Sequence, residues 1–305
     1  MTVPREPAPA GQRLLWSSDG AWSPDRGEPR GDPSVVDSWL VAEGRVRGLD
    51  LHERRFRQSC TGLAPALPQE AVRRFLAAVR RELPTGGHWF PRIEAYRAPS
   101  PQLTLWLRPA PERGDTVALW IPSRSDPRTR PGVKGPDLAV MAALRADARA
   151  AGADDALLYS EDGTALEAAH SALVWWRGDT LCVPAAGLPV LPSVTRVMLE
   201  RLALDRRCRL QAEHSTTDDL RRLEVWTLNA LHGIRPVRGW VDSQGRAVEA
   251  RMSTRVGSWR RALHARAMPS APGSGRTSGA SSTPGAPGIS GAPGISGASG
   301  VSGPP

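Results

Sequence analysis

From Gly285 to Pro305 glycine stands at every third position, and the stretch from Met268 onward is mostly Pro, Gly, Ser and Ala. Such a segment has too few apolar side chains to offset the conformational entropy lost on ordering. The glycine spacing is that of collagen, but Ile and Ser fill many positions where a triple helix needs proline. Residues 268–305 are therefore expected to be a disordered tail, and the fold must be built upstream. The upstream chain is long enough for two modest domains.

Leu14, Leu15 and Trp16 form a short apolar run closed by Asp19 and Gly20. Pro68 followed by Val72, Phe75, Leu76, Val79 and Leu83 gives an i, i+3, i+4, i+7 stripe, which predicts an amphipathic helix over 68–83. Alternation at Leu103, Leu105 and Leu107, then at Val117, Leu119 and Ile121, predicts two strands. These pieces make a first α/β domain over 14–122. The polar, proline-bearing segment 123–133 reads as an interdomain linker. Beyond it, Asp137 is placed to cap a helix running to Ala151 with Gly152 at its end. Strands at 156–159, 171–176, 180–183 and 225–228 and a helix at 194–203 complete a larger second domain over 134–262.

The net charge of +9 raises the question of nucleic acid. Six arginines and no acid follow Glu249, so six of the nine charges lie there and the body is nearly neutral. That end reads as a solvated basic tail with no aromatic interleaving beyond Trp259, and a nucleic-acid partner is not expected. Three scattered cysteines support neither a disulfide framework nor a zinc cluster, and no metal site is expected. His170 and His232 have no triad or metal partner at suitable spacing and read as structural. Trp175 and Trp176 read as core. Without an apolar leader or a membrane-length apolar run, a cytoplasmic chain is expected.

Of the 40 basic residues 39 are arginine, and the one lysine is Lys134. An arginine replaces lysine at most surface sites but cannot act as a nucleophilic amine. A desolvated lysine can, because its amine starts from a pKa of ~10.4 and loses its proton when buried.

Four segments, read in order, resemble the class IV aminotransferases, the fold-type IV pyridoxal-phosphate enzymes. His52-Glu53-Arg54-Arg55-Phe56-Arg57-Gln58-Ser59 is similar to H-x-x-R-[LF]-x-x-S. Lys134 precedes a helix leading to Gly152-Ala153-Asp154-Asp155-Ala156-Leu157-Leu158, similar to G-x-D-E-A-L-L. Asp162-Gly163-Thr164-Ala165-Leu166-Glu167 resembles D-G-x-V-x-E. Val183-Pro184 and then Leu191-Pro192-Ser193-Val194-Thr195-Arg196 resemble T-P and L-P-G-[IV]-T-R.

The resemblance covers about residues 34–240. It implies a two-domain α+β fold and pyridoxal 5′-phosphate as cofactor, held by Lys134 as a Schiff base. Arg55 and the helix start at Val194 and Thr195 fall at the cofactor phosphate, and Glu167 at the pyridine nitrogen. Asn229, in the run Trp226-Thr227-Leu228-Asn229-Ala230-Leu231, is a further cofactor contact, and that run is closest to 4-amino-4-deoxychorismate lyase. Ser38 and Arg92 are substrate candidates. A homodimer acting on a small-molecule amine is implied, as aminotransferase or as lyase releasing pyruvate and 4-aminobenzoate. Two departures stand out: Ser193 replaces the usual glycine and Ala172 the usual asparagine. They leave open a degenerate cofactor-binding or interaction protein.

Overall fold

The computed structural model describes residues 11–270 apart from 18, 28–30, 63–66 and 98–100. The expected tail lies outside the described residues from 271 onward.

The first half of the chain forms β1 (Arg13–Trp16), β2 (Trp22–Pro24), β3 (Val35–Ser38), β4 (Val41–Ala42), β5 (Arg45–Arg47), α1 (Leu49–Thr61), α2 (Gln69–Glu82), β6 (His88–Trp89), β7 (Arg92–Tyr96) and β8 (Gln102–Trp106). Five of these strands make one sheet in the order β2-β1-β8-β7-β3. The stripe predicted for α2 buries Val72, Phe75, Leu76 and Val79, and Pro68 stands in extended backbone just before its first turn. With Phe56 and Cys60 of α1 they form one core against Ile93, Leu103 and Leu105 of the sheet.

The second half forms β9 (Val117–Trp120), α3 (Leu138–Ala150), β10 (Asp155–Tyr159), β11 (Ala165–Ala168), β12 (Ala172–Arg177), β13 (Thr180–Pro184), α4 (Val194–Asp205), β14 (Arg209–Glu213), α5 (Thr217–Arg221), β15 (Glu224–Asn229), β16 (Gly233–Val241), β17 (Ala247–Glu249), α6 (Val256–His264) and β18 (Ala267–Pro269). The main path of the second sheet runs β11-β10-β9-β16-β15-β12-β13-β14. Its middle strands are buried on both faces, which is why β12 reads as an unbroken apolar run rather than an alternation. Leu173 and Trp175 enter one core, and Val174 and Trp176 enter another beneath α4 and α6. Trp175 and Trp176 are core residues, as expected; Trp176 lies 5.2 Å from Trp226 and 5.3 Å from Trp259, edge-on to both.

Several expectations are corrected. β9, assigned above to the first domain, pairs with β10 and β16 in the second sheet. Asp137 does not cap α3; its carboxylate accepts hydrogen bonds from the Thr129 and Arg130 backbone N–H groups at 3.1 and 2.9 Å, and so anchors the connecting segment. Order continues past Met268, because β18 pairs with β5 and the Ser270 N–H bonds the Gly44 carbonyl at 2.9 Å. The arginines after Glu249 are not simply solvated. Arg255 lies 4.4 Å over the Trp176 ring and pairs with Glu224 at 3.2 Å, while Arg260 donates to the carbonyl of Ile234 at 3.1 Å.

Candidate functional site

All eight residues singled out in the sequence line one cavity of about 1020 Å³: Ser38, Arg55, Arg92, Lys134, Glu167, Val194, Thr195 and Asn229. β3 is its keel. The Val36 N–H donates to the Lys134 carbonyl at 2.7 Å, which fixes the backbone of Lys134 against this strand. The next residue has to be glycine, since a Cβ on Gly135 would stand 2.5 Å from the Ser34 carbonyl oxygen.

The Lys134 side chain keeps partial exposure, toward the cavity, and among the described residues no hydrogen bond or ion pair holds its amine. Burial pushes the amine down to about 8 and Arg55 adds to the fall, while Asp37 opposes it.

Arg55 projects from α1 onto β3. Its Nε and Nη2 donate to the two oxygens of Asp37 at 2.9 and 2.7 Å, and its Nη1 donates to the Pro192 carbonyl at 3.0 Å. His52 Nδ1 lies 2.8 Å from the same carboxylate. Burial alone would raise the Asp37 carboxyl, but Arg55 and His52 hold it far below the usual carboxylate range. Asp37 is a functional candidate that the sequence reading passed over. Its signal was present as the one acid inside the apolar run Val35-Val36-Asp37-Ser38-Trp39-Leu40-Val41.

α1 is brought to this place by Gly48, which has φ +61° and packs so tightly on α4 that a Cβ would meet Met198 Sδ at 2.8 Å and Val194 Cγ1 at 3.1 Å. Arg55 and the start of α4 are thereby neighbours. At that start the Ser193 hydroxyl accepts from the Arg196 N–H at 3.3 Å, a normal N-cap, with Ser193 in extended backbone at φ −75°. The position makes no use of glycine's freedom. Among the described residues the N–H groups of Val194 and Thr195 have no acceptor, which leaves two donors and the positive end of the helix dipole for an anion.

Glu167 is buried in β11. Its Oε1 accepts from Arg128 Nη1 at 2.5 Å and from the Leu191 N–H at 2.8 Å, and among the described residues Oε2 takes no bond. Burial raises the carboxyl, and Arg128 opposes that rise. Arg128 is itself gripped by Asp126, at 2.7 Å from Nη2. The segment expected to be only a linker therefore supplies a partner to the site.

Ser38 and Arg92 are directly opposite each other in the β3–β7 register. Arg92 forms an ion pair with the buried Glu94 at 2.6 Å. The Asn229 side chain donates to Ser171 Oγ at 2.9 Å and accepts from the His232 N–H at 2.8 Å, so its amide organises the cavity wall. Ala172 opens β12 at the same wall. His170 lies 3.4 Å from Asp155, and both it and His232 reach the cavity. Among the described residues no cluster of His, Cys, Asp and Glu suits a metal, and no helix is long and apolar enough to cross a membrane.

Residues 34–240 match the amino-transferase class IV family, and the chain belongs to that family, a family of pyridoxal-phosphate enzymes. A search of curated proteins returned no match. Solved structures share the fold. The fold IV-transaminase CpuTA1 from Curtobacterium pusillum superposes with a TM-score of 0.69 at 20% identity, covering 84% of this chain and 97% of that one. A branched-chain aminotransferase from Thermoproteus uzoniensis gives 0.70 at 16% identity, with 84% and 94% covered. The PLP-bound form of a hypothetical aminotransferase from Mycobacterium tuberculosis gives 0.66 at 21%, with 83% and 98% covered.

Proposed function

We propose that the cavity binds pyridoxal 5′-phosphate through Lys134 and acts on a small amine, either transferring its amino group or eliminating its enolpyruvyl group. The observation that carries this reading is that, among the described residues, the Lys134 amine, the Val194 and Thr195 N–H groups and one Glu167 oxygen all lack partners and line one cavity. The donor set fits the group: Val194, Thr195 and Arg55 would take its phosphate, Glu167 Oε2 its ring nitrogen, and Lys134 its aldehyde carbon. When bound, the cofactor supplies an electron sink for the negative charge left on the substrate carbon.

Arg128 and the Leu191 N–H keep Glu167 oriented and oppose its protonation. Asp37 fixes the guanidinium plane of Arg55. Lys134 would take the proton from the amine-bearing carbon, and its lowered pKa lets it act as a base near neutral pH. The run Asn229-Ala230-Leu231 at the cavity wall supports the lyase option over a branched-chain one. A homodimer is the proposed assembly.

Lys134→Ala tests the reading. Borohydride is expected to fix the cofactor to the wild-type chain and not to the variant, since no second lysine exists. The rate of cofactor capture is expected to rise with pH through about 8, where the buried amine loses its proton, and not near the free-lysine value. Covalent capture by Lys134→Ala would overturn the assignment. An assay comparing pyruvate release from aminodeoxychorismate with amino-group transfer from L- and D-amino acids separates the two reactions.

A further inference from the structure

At the cavity wall β15 and β16 are joined by the short connection Ala230-Leu231-His232, and these residues line the cavity together with Asn229. The base of this connection is tied locally, because the Asn229 side chain accepts from the His232 N–H at 2.8 Å. Its tip is tied from the other half of the chain. Arg47 Nη2 donates to the Ala230 carbonyl at 2.8 Å and to the Leu231 carbonyl at 3.4 Å. Among the described residues no other hydrogen bond reaches either carbonyl, so Arg47 alone fixes which way the Ala230-Leu231 peptide faces.

Arg47 is itself firmly placed. It ends β5, a strand paired on both edges, with β4 at Val41 and Val46 and with β18 at Ala267 and Arg47. Its guanidinium rests on Gly233, which opens β16 at φ +74° and where a Cβ would stand 3.0 Å from Arg47 Nη1. Arg47 does not line the cavity; it stands behind the wall.

The charge of Arg47 goes to the tip. Burial, with Arg113 adding, pushes the guanidinium down to about 10, so it stays charged near pH 7, and no carboxylate is among the groups that act on it. Arg55, Arg92 and Arg128 differ in this respect, for each forms an ion pair, with Asp37, Glu94 and Asp126. Among the described residues the two carbonyls are the only hydrogen-bond acceptors of Arg47. Hydrogen bonds from an ionised donor are stronger than neutral ones, and here they are spent on orienting two peptide groups of the cavity wall.

We propose that Arg47 is a positioning residue that fixes the tip Ala230-Leu231 from behind the wall and thereby sets which amines the cavity accepts. The effect on substrates rests on the cavity being the amine site proposed above; the hold on the tip does not.

The test compares the full-length wild type, Arg47→Met and Arg47→Lys, each incubated with pyridoxal phosphate. Amide hydrogen exchange over 229–233 is expected to quicken about tenfold or more in Arg47→Met, with exchange in α2 unchanged, and to quicken less in Arg47→Lys, which keeps a charge but lacks the planar fork. Over a panel of small primary amines of graded size, KM for those the wild type prefers should rise about tenfold in Arg47→Met while kcat falls less than about threefold. The wild-type ranking of the amines should flatten, and Arg47→Lys should recover part of it. If Arg47→Met fails to fold, Arg47→Lys carries both readouts with the same sign. Unchanged exchange at the tip overturns the proposal. A quickened tip with an unchanged ranking also overturns it, and would make Arg47 a purely structural residue. A tip quickened by the variants, in a protein whose wild type turns over no amine, would uphold the hold on the tip and defeat the amine reading instead.

Discussion

Arg55 and Arg235 line one cavity and are held in different ways. Arg55 is clamped by a fully buried carboxylate with His52 behind it, so its orientation is decided before any ligand arrives. Arg235 is as deeply placed but has no acceptor among the described residues. The first arrangement is preorganised for a ligand whose position must not vary. The second is balanced only through space, by Asp155 and Asp154. The difference separates an arginine whose orientation is fixed by direct hydrogen bonds from one that the fold balances without fixing it.

Stability measurements can break this contrast. Asp37→Ala leaves Arg55 and His52 buried without their partner and is expected to cost about 3–5 kcal/mol in a denaturant melt. Arg235→Met removes a charge that no hydrogen bond holds among the described residues and that Asp155 and Asp154 balance only through space, and is expected to change the stability of the protein by no more than about 1 kcal/mol. A loss of stability in Arg235→Met comparable with that in Asp37→Ala would make both arginines structural and erase the distinction.

The same contrast explains what was legible in the sequence. Residues that act through their own chemistry at a fixed spacing could be read: Lys134 ahead of α3, Glu167 after Asp162-Gly163, and Thr195 at a helix start all reach the cavity. So could α2 and the strands at 103–107, 156–159 and 225–228, whose apolar periodicity is local. What could not be read depends on partners far apart in the chain. Asp37 meets Arg55 only because Gly48 turns α1 over α4. Arg128 meets Glu167 across 39 positions, from a segment whose composition reads as linker. Asp137 precedes a helix, as a cap would, but its carboxylate is drawn to Thr129 and Arg130. Arg235 was invisible for another reason: among 39 arginines nothing in the sequence marks one that is buried without a hydrogen-bond acceptor.

A smaller effect sharpens the role of the clamped end. Arg128 opposes the rise that burial imposes on Glu167. Arg128→Gln removes that opposition, so the carboxyl should stay protonated to higher pH. The acidic limb of the kcat–pH profile is then expected to move to higher pH, and kcat to fall roughly tenfold to a hundredfold as Glu167 loses its orientation. A fall in kcat with an unmoved profile would assign Arg128 to packing alone.

The smallest expected effect concerns Ser193, where the family usually carries glycine. The backbone there is extended and the hydroxyl caps α4, so the helix start is served by serine without strain. Ser193→Gly should therefore change stability by only a few tenths of a kcal/mol, and Ser193→Ala, which loses the cap acceptor and gains no freedom, by about 1 kcal/mol. Cofactor affinity separates two causes. If the two variants bind the cofactor as tightly as the wild type, the free N–H groups of Val194 and Thr195 suffice for the phosphate. If Ser193→Gly alone binds more tightly, the serine Cβ keeps the phosphate away from the helix start, and the departure from glycine weakens the clamped end of the cavity.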